Sequence, residues 1–143
     1  MATAREMMER AISTWNARDK SAWISLFGPD FDLSLPGGLQ ADGIAAAQLF
    51  YALWQDAFPD NRVEPQRIIT EGDTVVLESI FDGTHTGPLN LPTGSVPPTN
   101  KHARVPYVLV GTAGADTFAR MVFYYDQVEI LEQLGLMPAP APA

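Results

Sequence analysis

The sequence predicts an α+β fold in which three helices come first and a meander of long strands follows, closing into a cone around a pocket. Three observations carry this. Apolar residues recur at three- to four-residue spacing up to Phe58. From Val63 to Tyr125 they alternate, or run in β-branched and aromatic stretches, between turn residues. No linker divides the apolar blocks of the 143 residues, so residues 1–136 read as one domain, large enough to bury a core.

Each element has its own signal. Thr3 to Arg18 reads as an amphipathic helix, with Met8, Ala11, Ile12 and Trp15 inward and Glu6, Glu9 and Arg10 on the wet side. A short second helix follows, its inner face formed by Ala22, Trp23, Leu26 and Phe27, and Gly28-Pro29-Asp30 is expected to stop it. Phe31 to Leu35 alternates as a strand, and Pro36-Gly37-Gly38 is a turn. Asp42 is placed to cap the longest helix, Ile44 to Phe58, which carries the apolar stripe Leu49, Phe50, Leu53, Trp54, Ala57 and Phe58. Strands are expected over 63–70, 74–86, 102–111 and 116–125, with an antiparallel sheet as the result. A last short helix covers Gln127 to Leu134, with Gly135 beyond its end. The tail 137–143, alternating proline and alanine after Met137, reads as unable to pack.

Composition excludes several function classes. Nine basic against 17 acidic residues give a net charge of −8, and no basic stripe is present, so neither nucleic acid nor an anionic membrane surface is an expected partner. There is no cysteine, hence no disulfide framework, thiol nucleophile or cysteine-bound zinc. His85 and His102 stand apart without metal-ligand spacing, so no metal is expected. No apolar run reaches the ~20 residues that span a bilayer. Arg5, Glu6 and Glu9 interrupt the N-terminus, which does not read as a signal peptide, and a soluble cytoplasmic protein is the expectation.

The residue of greatest chemical interest is Asp126. It ends the apolar run Met121-Val122-Phe123-Tyr124-Tyr125, where a carboxylate at a cavity edge serves proton transfer. It also opens Asp126-Gln127-Val128-Glu129, the form of a helix capping box. Both readings stand at this stage. They also pull apart, because bonds from backbone N–H groups favour the charged form and hold a carboxylate's pKa down.

Five stretches then carry a family resemblance. They are Trp15-Asn16-Ala17-Arg18-Asp19, Trp54-Gln55-Asp56-Ala57-Phe58-Pro59-Asp60, Gly83-Thr84-His85-Thr86-Gly87, Pro97-Pro98-Thr99-Asn100-Lys101, and Tyr124-Tyr125-Asp126 running into Leu131-Glu132-Gln133-Leu134-Gly135. In this order the chain resembles the SnoaL-like polyketide cyclases of the NTF2-like superfamily. The resemblance implies an α+β cone, a homodimer and cofactor-independent acid/base chemistry on an apolar, carbonyl-bearing substrate, such as aldol cyclisation or isomerisation. It also implies a catalytic role for Asp126. The histidine that the family places on the preceding strand is absent from Tyr107-Val108-Leu109-Val110, and the 88–96 loop is longer than usual. Asn100 replaces a glycine, a change that a left-handed backbone tolerates.

His85 shares a strand face with Val75, Leu77, Ser79 and Phe81 if the alternation is unbroken at Gly83, and is the expected catalytic partner. The expected substrate wall is Trp15, Tyr51, Trp54, Phe58, Phe81, Tyr107, Phe123 and Tyr125, with the hydroxyl of Tyr51 or Tyr125 as oxyanion donor. Asp32, between Phe31 and Leu33, reads as solvent-facing, and His102 as exposed. Two alternatives remain beside the enzyme. One is a non-catalytic protein binding an apolar small molecule. The other is a dehydratase or hydrolase of the same fold, weakened as an epoxide hydrolase because neither Arg104 nor Arg120 has an aspartate two residues away.

Overall fold

The computed structural model describes residues 2–91 and 94–137. Of the expected unpacked tail, 137–143, residues 138–143 lie outside the described residues. In chain order the elements are α1 (Ala4–Asn16), α2 (Lys20–Ile24), β1 (Phe27–Leu35), β2 (Leu39–Asp42), α3 (Gly43–Ala57), β3 (Arg62–Glu71), β4 (Thr74–Thr84), β5 (Leu89–Leu91), β6 (Gly94–Val96), β7 (His102–Ala113), β8 (Phe118–Tyr124) and α4 (Gln127–Gln133). Six strands form one sheet in the order β2-β1-β8-β7-β4-β3, and β5-β6 form a separate hairpin. The result is the α+β cone anticipated from helix and strand order, with α1, α2 and α3 packed on the inner face of the sheet.

Local chemistry accounts for the helix ends. Thr3 caps α1 by accepting from Glu6 N–H at 3.1 Å. Asp19 caps α2 through Ala22 N–H at 3.2 Å. Asp42 occupies the expected N-cap position of α3 but makes no side-chain cap bond. α4 ends at Gly135, whose φ of 72° lets Leu136 N–H reach Leu131 C=O at 2.8 Å and Gly135 N–H reach Glu132 C=O at 3.0 Å. That pair of bonds is a Schellman motif, and it needs the left-handed residue the sequence supplies.

Three sequence expectations are corrected. Gly28-Pro29-Asp30 does not stop a helix; it lies within β1, where the register against β8 shifts between Phe27 and Asp32 and so accommodates residues that pair poorly. The sheet is not wholly antiparallel, because β1 runs parallel to β8, which the long intervening chain permits. The 88–96 segment, read as a loop, carries the β5-β6 hairpin, and Leu39–Asp42 adds an edge strand.

Strand alternation sets the interior. On β4 the inward residues are Val75, Leu77, Ser79 and Phe81; Gly83 pairs with Ala103 without a bulge, so His85 keeps the inward phase. On β7, Ala103, Val105, Tyr107 and Leu109 face in, and on β8, Met121 and Phe123. A large core cluster joins these to Met7, Met8, Trp15, Trp23, Phe50 and Tyr51, while a smaller one closes the other end with Leu53, Ala57, Phe58, Leu89, Val105 and Leu134. Among the described residues, no helix is long and apolar enough to cross a membrane.

Candidate active site and apolar cavity

Helices α1–α3 cannot lie flush on a curved sheet, and the gap between them is a cavity of about 80 Å³, or about 710 Å³ of free space with its open mouth included. Its wall draws on every layer: Trp15 from α1, Phe50 and Trp54 from α3, Phe81 from β4, Tyr107 from β7, and Phe123 and Tyr125 from β8 and its end. The aromatics brace one another. Trp54 meets Phe81 edge-on at 5.6 Å and Tyr125 at 5.8 Å, and Phe50 stacks on Phe123 at 4.6 Å.

The lining holds no carboxylate, imidazole, ammonium or guanidinium among the described residues. Its ionisable groups are two phenols. Burial pushes Tyr107 and Tyr125 each up to about 12. Both are therefore neutral donors at physiological pH. Ser79 stands directly opposite Tyr107 in the β4-β7 register. It draws the Tyr107 pKa the other way, although Ser79, 1% exposed, makes no hydrogen bond of normal geometry through its Oγ.

Asp126 lies outside this wall. Its side chain is exposed, and Oδ1 accepts from Val128 N–H at 2.9 Å and Glu129 N–H at 3.2 Å. The capping role is thus realised, without the reciprocal bond of a full box: Glu129 Oε1 accepts instead from Gln133 Nε2 at 3.4 Å. Tyr125 and Ile130, on either side of it in the chain, do line the cavity.

His85 points inward yet does not reach the cavity either. It is wholly buried and packs against Phe58, ring centroids 5.2 Å apart. Its Nδ1 accepts from Thr99 N–H at 3.2 Å and lies 3.0 Å from Thr99 Oγ1, so the ring proton belongs on Nε2, which has no partner. Desolvation lowers its pKa. The structure therefore does not bring Asp126 and His85 together at the ligand space, because one faces solvent and the other is walled off by Phe58.

Two expected wall residues also fall behind the lining. Tyr51 is spent on packing against Trp15 at 5.3 Å and Trp23 at 5.4 Å, and Phe58 on Trp54, Phe81 and His85. Trp15, Trp54, Phe81, Tyr107, Phe123 and Tyr125 line the cavity as anticipated. Sequence reasoning did not single out Trp23, Met121 and Leu109 as lining, since an inward phase does not distinguish cavity wall from solid core. Asp32 is solvent-facing and pairs with Arg120 at 3.6 Å. His102 is exposed and bonds to Asp82 at 2.9 Å. No three His, Cys, Asp or Glu side chains cluster as a metal site among the described residues.

The recurring motifs meet elsewhere, at the closed end of the cone. A Cβ on Gly87 would lie 1.8 Å from Asp56 C=O, and one on Gly83 would lie 3.0 Å from Asn61 Cβ. Both glycines thus let the end of β4 approach the end of α3. Thr84 N–H donates to Asp60 Oδ1 at 2.7 Å, His85 exchanges backbone bonds with the 100–101 segment, and Asn100 adopts a φ of 60°.

Comparison with known proteins agrees with this architecture. A family model described as the SnoaL-like domain matches residues 8–120. No curated protein sequence matches the chain. Among solved structures, a candidate SnoaL-like polyketide cyclase from Jannaschia sp. CCS1 is 25% identical with a TM-score of 0.82, over 94% of this chain and 93% of its own. IdmH, a candidate polyketide cyclase from Streptomyces antibioticus, is 22% identical with a TM-score of 0.76, over 94% and 99%. A protein of ketosteroid isomerase-like fold from Catenulispora acidiphila, in complex with trimethylamine, is 19% identical with a TM-score of 0.76, over 99% and 100%. The last two are likenesses of fold.

Proposed function

Because the chain belongs to the SnoaL-like family, we propose that it takes up an apolar, carbonyl-bearing molecule of the polyketide kind and promotes its enolisation or ring closure without a cofactor. One observation carries the reading: an aromatic cavity whose ionisable groups are the neutral phenols Tyr107 and Tyr125. Such a wall holds a flexible apolar chain folded, bringing its reacting carbons together. A phenol kept neutral by burial donates to a carbonyl oxygen and favours the charge that grows there as an enolate forms. C–H groups between two carbonyls are acidic already, so the demand on a base is small.

A second reading adds that base. Asp126, next in the chain to the lining residue Tyr125 and accepting two backbone N–H bonds, takes the proton from substrate carbon, and His85 acts through the Phe58 wall it supports. Its place in the chain between the lining residues Tyr125 and Ile130 favours this role for Asp126. Incubation with a panel of linear aromatic polyketides and steroids, binding and product formation followed together, tests both readings. Conversion lost in Tyr107→Phe supports the phenol as donor, and conversion lost in Asp126→Asn adds the base. Binding without conversion across the panel would reduce the protein to a carrier, and no binding would remove both readings.

The outer face of the sheet supports a homodimer. Val76, Val108, Val110 and Val122 are half-buried there and Tyr124 is 59% exposed, an apolar strip on strands β4, β7 and β8. Sedimentation of the wild type against Tyr124→Lys tests it, with a shift towards monomer as the expected outcome.

A further inference from the structure

Directly behind the cavity wall lies a buried polar group without a hydrogen-bond partner of normal geometry. Ser79 lies on the inward face of β4 between the lining residues Leu77 and Phe81, 1% exposed, and its Oγ has no hydrogen-bond partner of normal geometry. A serine in such a position is unusual, because buried hydroxyls are nearly always paired. Its direct neighbour across the β4-β7 ladder is Tyr107, which does line the cavity. In that register the residues are opposed on one face, and Ser79 lowers the Tyr107 pKa against the effect of burial.

We infer that Ser79 and Tyr107 together form the specificity element of this cavity, Ser79 donating to the phenolic oxygen so that the Tyr107 hydrogen is turned into the cavity towards one acceptor oxygen of the ligand. A tyrosine hydroxyl both donates and accepts, and left alone it would take a ligand hydroxyl as readily as a carbonyl. With its acceptor side occupied by Ser79, it presents a donor. The ligand class that follows is a ketone or quinone carbonyl flanked by apolar surface, in preference to a hydrocarbon or an alcohol of the same shape. Burial on the phenol keeps it protonated, so the donor persists through the physiological range. Ser79 is a positioning residue on this account, acting through Tyr107. The inference rests on the reading of the cavity as a small-molecule site.

A matched pair of probes tests it: acetophenone and α-methylstyrene, which differ in a carbonyl oxygen against a methylene carbon, with 1-phenylethanol as the alcohol. Titration should show the wild type binding the ketone about 5- to 10-fold more tightly than the alkene, the size of one net hydrogen bond. The ratio should fall to about one in Tyr107→Phe and part of the way in Ser79→Ala. The infrared carbonyl stretch of bound acetophenone should lie at lower frequency in the wild type than in either variant, a signature that loss of packing alone would not produce. In Ser79→Ala the alcohol should gain on the ketone, because the phenol is free to turn. Equal affinity for ketone and alkene in the wild type, or a ratio unchanged in both variants, would overturn the Ser79–Tyr107 assignment while leaving an apolar binding site. Failure of all three probes to bind would overturn the cavity reading itself.

Discussion

Trp15 Nε1 donates to Asn61 Oδ1 at 2.7 Å in the interior, and this bond ties α1 to the turn between α3 and β3. Asn61 is fully buried and spends its amide on Gln55 Oε1 and Phe58 C=O, both at 2.8 Å. Gln55 in turn donates to Trp15 C=O at 3.2 Å, closing the loop of bonds. Around it Asn16 exchanges two bonds with the Val63 backbone, and Arg18, at a φ of 56°, donates to Pro59 C=O and Asn61 C=O. The indole that braces the cavity wall is thus held by polar groups placed behind it.

Asn61→Ala should therefore be costly. It leaves Trp15 Nε1–H and Gln55 Oε1 buried without partners, a loss of about 2–4 kcal/mol by urea unfolding. A double-mutant cycle with Trp15→Phe should return a coupling of about 0.5–3 kcal/mol. A coupling near zero would mean the bond does not contribute.

Gly87→Ala probes the close approach at the closed end. With Asp56 C=O 1.8 Å from where the methyl would lie, backbone must move, and a loss of about 3 kcal/mol or more is expected in thermal or urea unfolding. An unchanged midpoint would contradict the contact.

His85 makes stability depend on pH in a stated direction. Its folded pKa lies below the unfolded value of 6.5, so the unfolded chain binds the extra proton. Its contribution is complete above pH 6.5 and is lost as pH falls through that value towards the folded pKa. Unfolding midpoints should drop between neutrality and mild acid with a slope of up to about 1.4 kcal/mol per pH unit from this group. His85→Gln should flatten that slope. An equal slope in the variant would assign the effect to other groups.

At the alkaline end the phenols act with the opposite sign. Tyr107 and Tyr125 have folded pKa values of about 12 against 10.0 unfolded, so their contribution is complete below pH 10.0 and fades as pH rises to about 12. Phenolate absorbance should show Tyr107 and Tyr125 ionising late, with Tyr51 also raised by burial. Tyr107→Phe should remove one of the late steps, and titration of all four near 10 would contradict a desolvated cavity.

Asp126→Ala should lower stability by about 1 kcal/mol through loss of the α4 cap, while Asp126→Asn, which keeps an acceptor for Val128 N–H and Glu129 N–H, should change it little. Comparable losses in both would show that the charge, rather than the acceptor, stabilises the helix end.

The motifs legible in the sequence prove mostly architectural. Gly83, Gly87, Asp60, Asn100 and Gly135 are legible as family positions or turn signals, and each sits where the ends of β4, α3 and α4 must meet closely. The inward phase of Ser79, Phe81 and His85 was also readable, because strand side chains alternate whatever the sheet does. Depth was not readable. His85 and Phe81 share a face, yet the first is sealed behind Phe58 and the second lines the cavity.

Sequence alone determined the α+β order, most of the inner face of each long element (Leu49, expected inward on α3, is 49% exposed), the cap at Asp126, and the family, since all of these depend on local periodicity, capping chemistry and motif order. Tertiary structure decided which inward residues line empty space and which fill it, that β1 runs parallel to β8, and that Asp126 is exposed and outside the cavity lining. Those outcomes depend on sheet curvature and on contacts between elements far apart in the chain, such as Ser79 opposite Tyr107. The physical reason is range: periodicity reports the neighbours of a residue along one element, whereas a cavity is a failure of two whole layers to fit.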